Sequence, residues 1–593
     1  MIGRALKFLR GWFPLFVVAG VFVWSAVTIF SRRAEEEPDD TITLRIGHWQ
    51  LEAGVRDGLN ALAADYQEVW HRQWESGGTS AEGKVWRELY PDKPKVRIVQ
   101  DAIPETTYGQ WVSTQLMGGT APDMMEIWLG LQYPMWVSYL NRYFVDLTPY
   151  ANRPNPHNAG TDFEKLPLRK TYKDGLRGAF VEELQSYVNV PVSQFAVRIF
   201  YNRDLLRELT GQEKPPTEYR AFLALCEKIR SRRTAAGKPY VPIASSAYHF
   251  TMWESMLFDA LTYPAHTKID FNRDAFINND EVYAGFKTGR VSFDFPAYRA
   301  KLVMSREVAS YFQDGYTGLN RDDAVFLFAQ QKAVFITTGT WDARSLQEQA
   351  KGKFTVGVAE FPLPRRTDPE FGGLIEGPIY EKPNTAACFG VVRTSKYPDV
   401  AIDFLLFLAS KRGNEKLNRY FGWIPAIRDT QKDRLLEDFE PHLEGVYLAM
   451  NMNLWVETYT KWLQVYAKYK ADPKYSIDDF AKEFGKFYQE RAPRDWDELQ
   501  NQWRDGTLTM EQSLAGARSR ALVARGAEAE GEWVRYRVMT AVRQVALQLQ
   551  HARLLDLVEK GPDPGAIGPY EYTPHALQNV RERLAREGGG GRP

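Results

Sequence analysis

Residues 190–229 decide the fold prediction, and they read VPVSQFAVRIFYNRDLLRELTGQEKPPTEYRAFLALCEKI. Large apolar side chains recur at every second position from 195 to 201, and a period of two is typical of a β-strand. Asn202 or Asp204 is suited to cap a short helix, which Gly211 is suited to end. The two prolines that follow cannot continue that helix, so the chain must turn before the next element.

Beyond this turn the sequence predicts a second helix. Thr217 is a suitable N-cap, and Phe222, Leu225, Cys226 and Ile229 fall on one face at helical spacing. Residues 190–229 therefore predict a strand followed by two helices. Five other stretches carry patterns of this kind: GGTAPDMMEIW at 118–128, FVDLTPY at 144–150, AVFITTGTWDA at 333–343, DVAIDFLLFLAS at 399–410 and GWIPA at 422–426.

These six stretches, in this order, resemble the motifs of the extracellular solute-binding proteins of bacterial ABC importers, the group of maltose- and sugar-binding proteins. The resemblance covers about residues 41–490. It implies an α/β fold of two lobes, the periplasmic binding-protein fold, with strands that cross between the lobes as a hinge. It also implies a function: a small solute, most often a sugar, is captured in the cleft between the lobes. The solute is then delivered to an ABC permease in the inner membrane, without catalysis by this chain.

The resemblance also suggests how the chain divides into lobes. It places lobe 1 at about 41–190 and 340–420, and lobe 2 at about 200–335 and 425–490. Residues 491–593 depart from the family pattern, and apolar residues at helical spacing within them predict an α-helical C-terminal extension.

A stripe of apolar residues marks this extension, because Val538, Val542, Val545, Leu549 and Ala552 recur at helical spacing. Such a stripe usually packs on the protein itself, so a helical hairpin against the core is expected. The alternative is an arm that docks a partner protein.

The N-terminus predicts a membrane anchor. Residues 11–30 carry no charge over twenty positions, which is about the length that spans a bilayer core. Basic residues at 1–10 favour a cytoplasmic stub, and 31–40 form an acidic linker. A cleaved signal peptide is the alternative, but the run is long for one and no small-residue cleavage site follows it. Either interpretation places the main domain in the periplasm or another extracytoplasmic space.

Composition narrows the possible partners. The formal net charge is zero, which gives no indication of a nucleic-acid partner. The two cysteines, Cys226 and Cys388, are too few for a disulfide framework or a zinc site, and the eight histidines show no ligand spacing. We therefore expect no metal and no cofactor. Aromatic residues make up 13% of the chain, and aromatic rings suit the apolar faces of sugars.

A sugar site needs aromatic rings together with polar side chains that satisfy the hydroxyl groups. Family position suggests candidates at strand ends, on the crossing strand and in the late helical region. The predicted ligand-binding residues are Trp49, Glu126, Trp128, Ser193, Gln194, His249, Trp253, Trp341, Asp342 and Trp455.

Two other functions remain open at this point. A glycan-active enzyme would also use carboxylates and aromatic rings, although it needs two carboxylates at a fixed separation and no catalytic motif is present. An anchored receptor or docking protein with the same fold would present its ligand to a signalling partner. A stub of about ten residues, which the predicted span leaves in the cytoplasm, is too short to be a signalling domain.

Overall fold

The computed structural model describes residues 38–51, 54–127, 135–181, 184–271, 277, 279–375, 379, 381, 385–431, 434–439, 442, 454–543, 554–555 and 558–559. The predicted cytoplasmic stub and the predicted anchor at 11–30 lie outside these residues, as do residues 31–37 of the acidic linker. Among the helices of the described residues, none combines the length and the apolar character that crossing a membrane requires.

The strands of these residues are numbered in chain order. They are β1 (Thr41–His48), β2 (Lys95–Ala102), β3 (Met124–Glu126), β4 (Phe180–Val181), β5 (Ser186–Tyr187), β6 (Val190–Gln194), β7 (Val197–Asn202), β8 (Val241–Ala244), β9 (Ala333–Gly339), β10 (Val356–Ala359), β11 (Thr385–Val391) and β12 (Ile424–Pro425).

The α-helices are identified below by their residue ranges. They span Val55–Ser76, Trp86–Leu89, Glu105–Gly118, Met135–Tyr143, Thr148–Ala151, Leu168–Thr171, Arg203–Thr210, Tyr219–Arg230, Ala247–Met256, Tyr263–Ile269, Asn279–Lys287, Pro296–Ala309, Arg321–Ala329, Ala343–Ala350, Pro398–Leu408, Lys411–Phe421, Val456–Ala471, Ile477–Val523 and Gly526–Val542.

Lobe 1 is built around a six-stranded sheet with the order β12-β6-β11-β3-β1-β2. β1 is parallel to β2 and β3, whereas β11 is antiparallel to β3 and β6. Ile42, Leu44 and Ile46 of β1 are fully buried, because alternate side chains of the strand face the core. The helices at 55–76 and 398–408 contribute side chains to the same core.

Lobe 2 is built around a four-stranded sheet with the order β10-β7-β9-β8. β7 is antiparallel to β9 and β10, and β8 is parallel to β9. All six residues of β7 and all seven of β9 are buried, as expected for strands covered on both faces.

The chain crosses from lobe 1 to lobe 2 between β6 and β7, at Phe195 and Ala196. Beside this crossing, the Thr340 N–H donates a hydrogen bond of 3.0 Å to the Ala196 carbonyl oxygen. The next residue, Trp341, packs against the cores of both lobes. These two segments therefore form one connected hinge region.

The helix ends near the hinge match the sequence closely, with one exception. The Asn202 side chain accepts a hydrogen bond of 2.9 Å from the Leu205 N–H and caps the first helix, and Gly211 ends it with a φ of 76°. The second helix uses a different cap from the one predicted. Glu218, and not Thr217, accepts the N–H groups of the first helical turn, because its carboxylate reaches two of them.

The predicted lobe boundaries need correction. β10 pairs with β7 and completes the lobe 2 sheet, whereas the resemblance to the family predicts that residues 340–420 belong to lobe 1. The helix at 343–350 packs with the strands of lobe 2 as well. Conversely, β12 pairs with β6 and belongs to the lobe 1 sheet. Strand pairing decides these positions, and a single sequence gives little information about pairing between distant strands.

The C-terminal extension begins earlier than residue 491. The helix at 477–523 has 47 residues and runs without interruption through the predicted boundary. It forms an antiparallel hairpin with the helix at 526–542. Val538 is 39% exposed whereas Met539 is buried, so the packed face is offset from the predicted stripe. The stripe residues Val545, Leu549 and Ala552 lie outside the described residues.

Candidate functional site

A cavity of about 380 Å³ lies between the two lobes, beside the hinge. Lobe 1 contributes Trp49, Gln50, Glu105, Ile127, Trp423 and residues 385–388 to its lining. The hinge and lobe 2 contribute Phe195, Tyr248, Arg321 and Trp341. Five of these residues are aromatic, and they surround the cavity from both lobes.

The lobe 1 wall is formed where β1 and β3 end. Glu126, at the end of β3, is 1% exposed, and its carboxylate accepts a hydrogen bond of 2.6 Å from the Gln50 side-chain amide. The backbone N–H of Trp49 donates to the same carboxylate over 3.4 Å. Tyr108 supports this corner, because its hydroxyl donates to the carbonyl oxygen of Glu126 and its ring contacts the Trp49 ring edge-on. The buried carboxylate thus fixes Gln50 at the cavity.

The lobe 2 wall contains a partly exposed tyrosine ring and an arginine that is held by an aspartate. Tyr248 is 41% exposed, and the guanidinium of Arg321 lies over its ring, 5.7 Å from the centroid. Arg321 also forms an ion pair of 2.5 Å with Asp342, whose second carboxylate oxygen accepts a hydrogen bond from Thr338 of β9. Asp342 therefore orients Arg321 at the cavity, while Asp342 itself is only 7% exposed.

The hinge supplies two rings to the cavity. Phe195 and Trp341 pack edge to face, with 5.4 Å between ring centroids. Gly339 makes this placement possible, because a Cβ atom there would lie 2.2 Å from the Trp341 ring. This close approach gives a physical reason for the Gly-Thr-Trp sequence after β9.

His249 lies behind the lobe 2 wall and is fully buried. Its Nδ1 is 2.8 Å from the Ser246 hydroxyl, and within the described part of the chain its Nε2 has no hydrogen-bond partner. Desolvation, with a smaller contribution from the positive charge of Arg321, lowers the pKa of His249 to about 4. The imidazole is therefore neutral at physiological pH.

Several predicted residues lie away from the cavity lining. Trp253 is fully buried in the lobe 2 core, where its ring contacts Phe222, Phe258 and Phe361. Trp455 precedes the helix at 456–471, and its backbone N–H donates to Asp495.

Ser193 and Gln194 are buried in β6 and directly precede Phe195, which lines the cavity. Ser193 hydrogen bonds to Asn418 over 2.5 Å, and Gln194 is 1% exposed. Of the predicted residues, Trp49 and Trp341 line the cavity, and Glu126 and Asp342 hold lining residues in place. Trp128 lies outside the described residues.

Sequence reasoning missed six lining residues with aromatic, amide or charged side chains: Gln50, Glu105, Phe195, Tyr248, Arg321 and Trp423. Three of them lie next to or within predicted features, since Gln50 follows Trp49, Phe195 begins the predicted alternating strand, and Trp423 lies within GWIPA. Arg321 and Tyr248 lie at the starts of two lobe 2 helices, and no local pattern marks these positions as part of a cleft.

Comparison with known proteins identifies the family to which the chain is similar. The model of the bacterial extracellular solute-binding protein family matches residues 91–440. The multiple sugar-binding protein of Streptococcus mutans serotype c (strain ATCC 700610 / UA159) is 20% identical over 283 residues, 47% of this chain. The aligned part spans only 58% of that relative's length.

Two solved structures show similarity over most of this chain. Apo RafE from Streptococcus pneumoniae is 16% identical, with a TM-score of 0.48, over 76% of this chain and 98% of that chain. The sugar-binding protein MalE from Xanthomonas citri is also 16% identical, with a TM-score of 0.48, over 77% of this chain and 99% of that chain. Because the family match spans more than half of its residues, the chain belongs to the bacterial extracellular solute-binding proteins.

Proposed function

We propose that this chain is the substrate-binding component of an ABC importer and that it captures a carbohydrate in the cavity between its lobes. The observation that carries the proposal is the lining of that cavity. Trp49, Phe195, Tyr248, Trp341 and Trp423 offer ring faces or edges to the apolar side of a sugar.

Polar groups at the same cavity suit sugar hydroxyl groups. Gln50 and Arg321 are each held by a carboxylate, which preorganises them for hydrogen bonding to a ligand. The cavity volume of about 380 Å³ lies within the range of small-molecule sites. A relative described as a multiple sugar-binding protein supports the same ligand class.

A second depression in the surface is less suited to binding a carbohydrate. A groove of about 570 Å³ lies between the helices at 343–350 and 411–421. Arg344, Lys416 and Arg419 line it, and among the described residues Tyr420 is the one aromatic residue in its lining. Although this groove is larger, its described lining offers a single ring, so we assign the ligand to the cavity beside the hinge.

The uncharged residues 11–30 are proposed to anchor the chain in the inner membrane, with the two lobes on the extracytoplasmic side. Such an anchor would keep the binding protein near its permease and raise the local concentration of the pair. Membrane fractionation after an alkaline wash tests this. An intact chain that stays in the membrane pellet supports the anchor, and release of the whole chain contradicts it.

The ligand proposal is tested by isothermal titration of the purified protein with monosaccharides, oligosaccharides, polyols and phosphorylated sugars. Trp341→Ala should lower the affinity for a bound sugar about tenfold or more, because a stacked ring is lost. Trp455→Ala is the matched control, since Trp455 is also half-buried but lies away from the cavity, and it should leave the affinity unchanged. Equal losses in both variants, or no binding across the panel, would contradict the assignment.

The same titrations separate a carrier from a glycan-active enzyme. A carrier releases its sugar chemically unchanged, so chromatography after long incubation should recover the starting ligand. Cleavage of the ligand by the wild-type protein would identify an enzyme.

A further inference from the structure

The C-terminal hairpin contacts both lobes of the molecule. Its first helix, at 477–523, is anchored in lobe 2 by Phe480, Phe484 and Tyr488, which are all fully buried. Their rings pack among aromatic residues of that lobe, including Phe293. At 1.5 Å per residue, this helix is about 70 Å long and extends well beyond its anchor.

The far end of the hairpin reaches lobe 1. The Asn141 side-chain amide donates a hydrogen bond of 3.2 Å to the Ser513 hydroxyl, and Ser513 is 3% exposed. Arg535, on the returning helix, forms an ion pair with Asp146 and donates to the Leu184 carbonyl oxygen over 3.1 Å. Leu184 is part of a lobe 1 core, so these contacts join the hairpin to the body of that lobe.

The hairpin also holds itself together between these two attachments. Leu514 and Ala517 of the first helix pack against Met539 of the second. Arg520 and Glu532 form an ion pair across the hairpin at 3.3 Å. The two helices of the hairpin are therefore held to each other by a small core and an ion pair of their own.

We propose that this hairpin is a strut that holds the two lobes apart. Lobe closure rotates one lobe about the hinge at residues 195–196, and any such rotation shifts Asn141 and Asp146 relative to lobe 2. The strut resists this shift, because its base is fixed in lobe 2 and its tip is fixed to lobe 1. Tyr248 on the cavity wall is 41% exposed, so this part of the wall is accessible to solvent at the lobe angle that the strut holds.

The strut sets the lobe angle of the ligand-free protein, whatever solute the cavity binds. Spin labels at Arg72→Cys in lobe 1 and Lys332→Cys in lobe 2 report the distance between the lobes by pulsed electron resonance. Both positions are exposed, whereas the native Cys226 and Cys388 are buried and their thiol pKa values are raised, so labelling is selective.

Removing the tip contacts with Asn141→Ala and Arg535→Ala should raise the population of the closed lobe distance about fivefold. Arg537→Ala is the matched control, since Arg537 lies on the same helix but is exposed, and within the described part of the chain its side chain bonds to the Trp533 carbonyl oxygen in its own helix. It should leave the distance distribution of the wild type unchanged.

A disulfide made with Asn141→Cys and Ser513→Cys tests the effect of locking the tip of the hairpin to lobe 1. Once this cross-link has formed, the labels are attached to the two remaining engineered thiols, and the distance distribution should be narrower around the open value than in the labelled chain without the cross-link. If neither the double alanine variant nor the disulfide alters the distribution, the hairpin is not a strut. Because no ligand is used, this result is independent of whether the cavity binds a carbohydrate.

Discussion

The two walls of the cavity are built in different ways. The lobe 1 wall lies at strand ends, and Gln50 is held there at 6% exposure by the buried carboxylate of Glu126. The lobe 2 wall lies at helix starts, and Tyr248 remains 41% exposed in it. One wall is therefore formed before any ligand arrives, while the other still has surface to bury. We expect the lobe 1 wall to determine which ligand fits, and the lobe 2 wall to strengthen binding as the lobes close.

The largest expected effect is on stability, and it concerns Trp253 in the core behind the lobe 2 wall. Trp253→Ala should lower the free energy of unfolding by about 3–5 kcal/mol, because it removes a fully buried ring from the core. Urea denaturation measures this loss, and the ligand affinity of the folded fraction should change little. A variant with normal stability but no ligand binding would place Trp253 in the binding site instead.

A pH-dependent effect of similar size is expected from His249, also behind the lobe 2 wall. Burial lowers its pKa to about 4 in the folded protein, against 6.5 for an ordinary histidine. As pH falls from 6.5 to 4, the unfolded chain binds a proton that the folded chain does not, so folding becomes less favourable. The histidine should remove about 3 kcal/mol of stability over this interval, and none above pH 7.

The comparison with His249→Gln isolates this contribution, since the variant lacks the titrating ring. Urea denaturation between pH 4 and 7 should show the wild type losing stability faster than the variant on acidification. Parallel pH profiles for the two proteins would show that the imidazole titrates normally.

A smaller effect on ligand affinity tests whether Glu126 holds the lobe 1 wall in its binding arrangement before the ligand arrives. Glu126→Gln should weaken ligand binding about fivefold, because a neutral amide holds Gln50 less firmly than a carboxylate does. In a Gln50→Ala background the same change should have little effect, since the side chain that it positions is gone. Additive losses in the double variant would mean that Glu126 acts independently of Gln50.

The smallest expected effect concerns the open wall itself. Tyr248→Ala should weaken binding about threefold, because this ring contributes only as the lobes close over the ligand. Tyr459→Ala is the control, as Tyr459 is exposed to a similar degree on lobe 2 and lies away from the cavity. A loss that matches that of Trp341→Ala would show that the lobe 2 wall is as fully formed as the lobe 1 wall.

The family and the core elements of the fold could be predicted because they depend on local patterns. Asn202 and Gly211 bound the helix at 203–210, as their residue types predicted. The family assignment that these motifs suggested is confirmed.

The site was harder to predict because tertiary packing assembles it. Trp253 and Trp341 were both predicted from their positions in the family pattern. Trp253 is enclosed by phenylalanine rings in the lobe 2 core, whereas Trp341 lies on the hinge. Arg321 reaches the cavity because Asp342, 21 positions away, binds it. No periodicity or capping signal encodes such a pairing between separate elements, so the sequence alone did not indicate it.

The positions of the two thiols have a consequence for laboratory handling of this protein. Cys226 is buried in lobe 2, and Cys388 is buried on β11 of lobe 1, where burial raises its thiol pKa to about 12. Because they lie in different lobes, the two sulfurs are kept apart as long as the lobes are folded. A disulfide between them can form only in an unfolded chain, so a faster-migrating band on a non-reducing gel would serve as a simple gauge of misfolded material in any preparation.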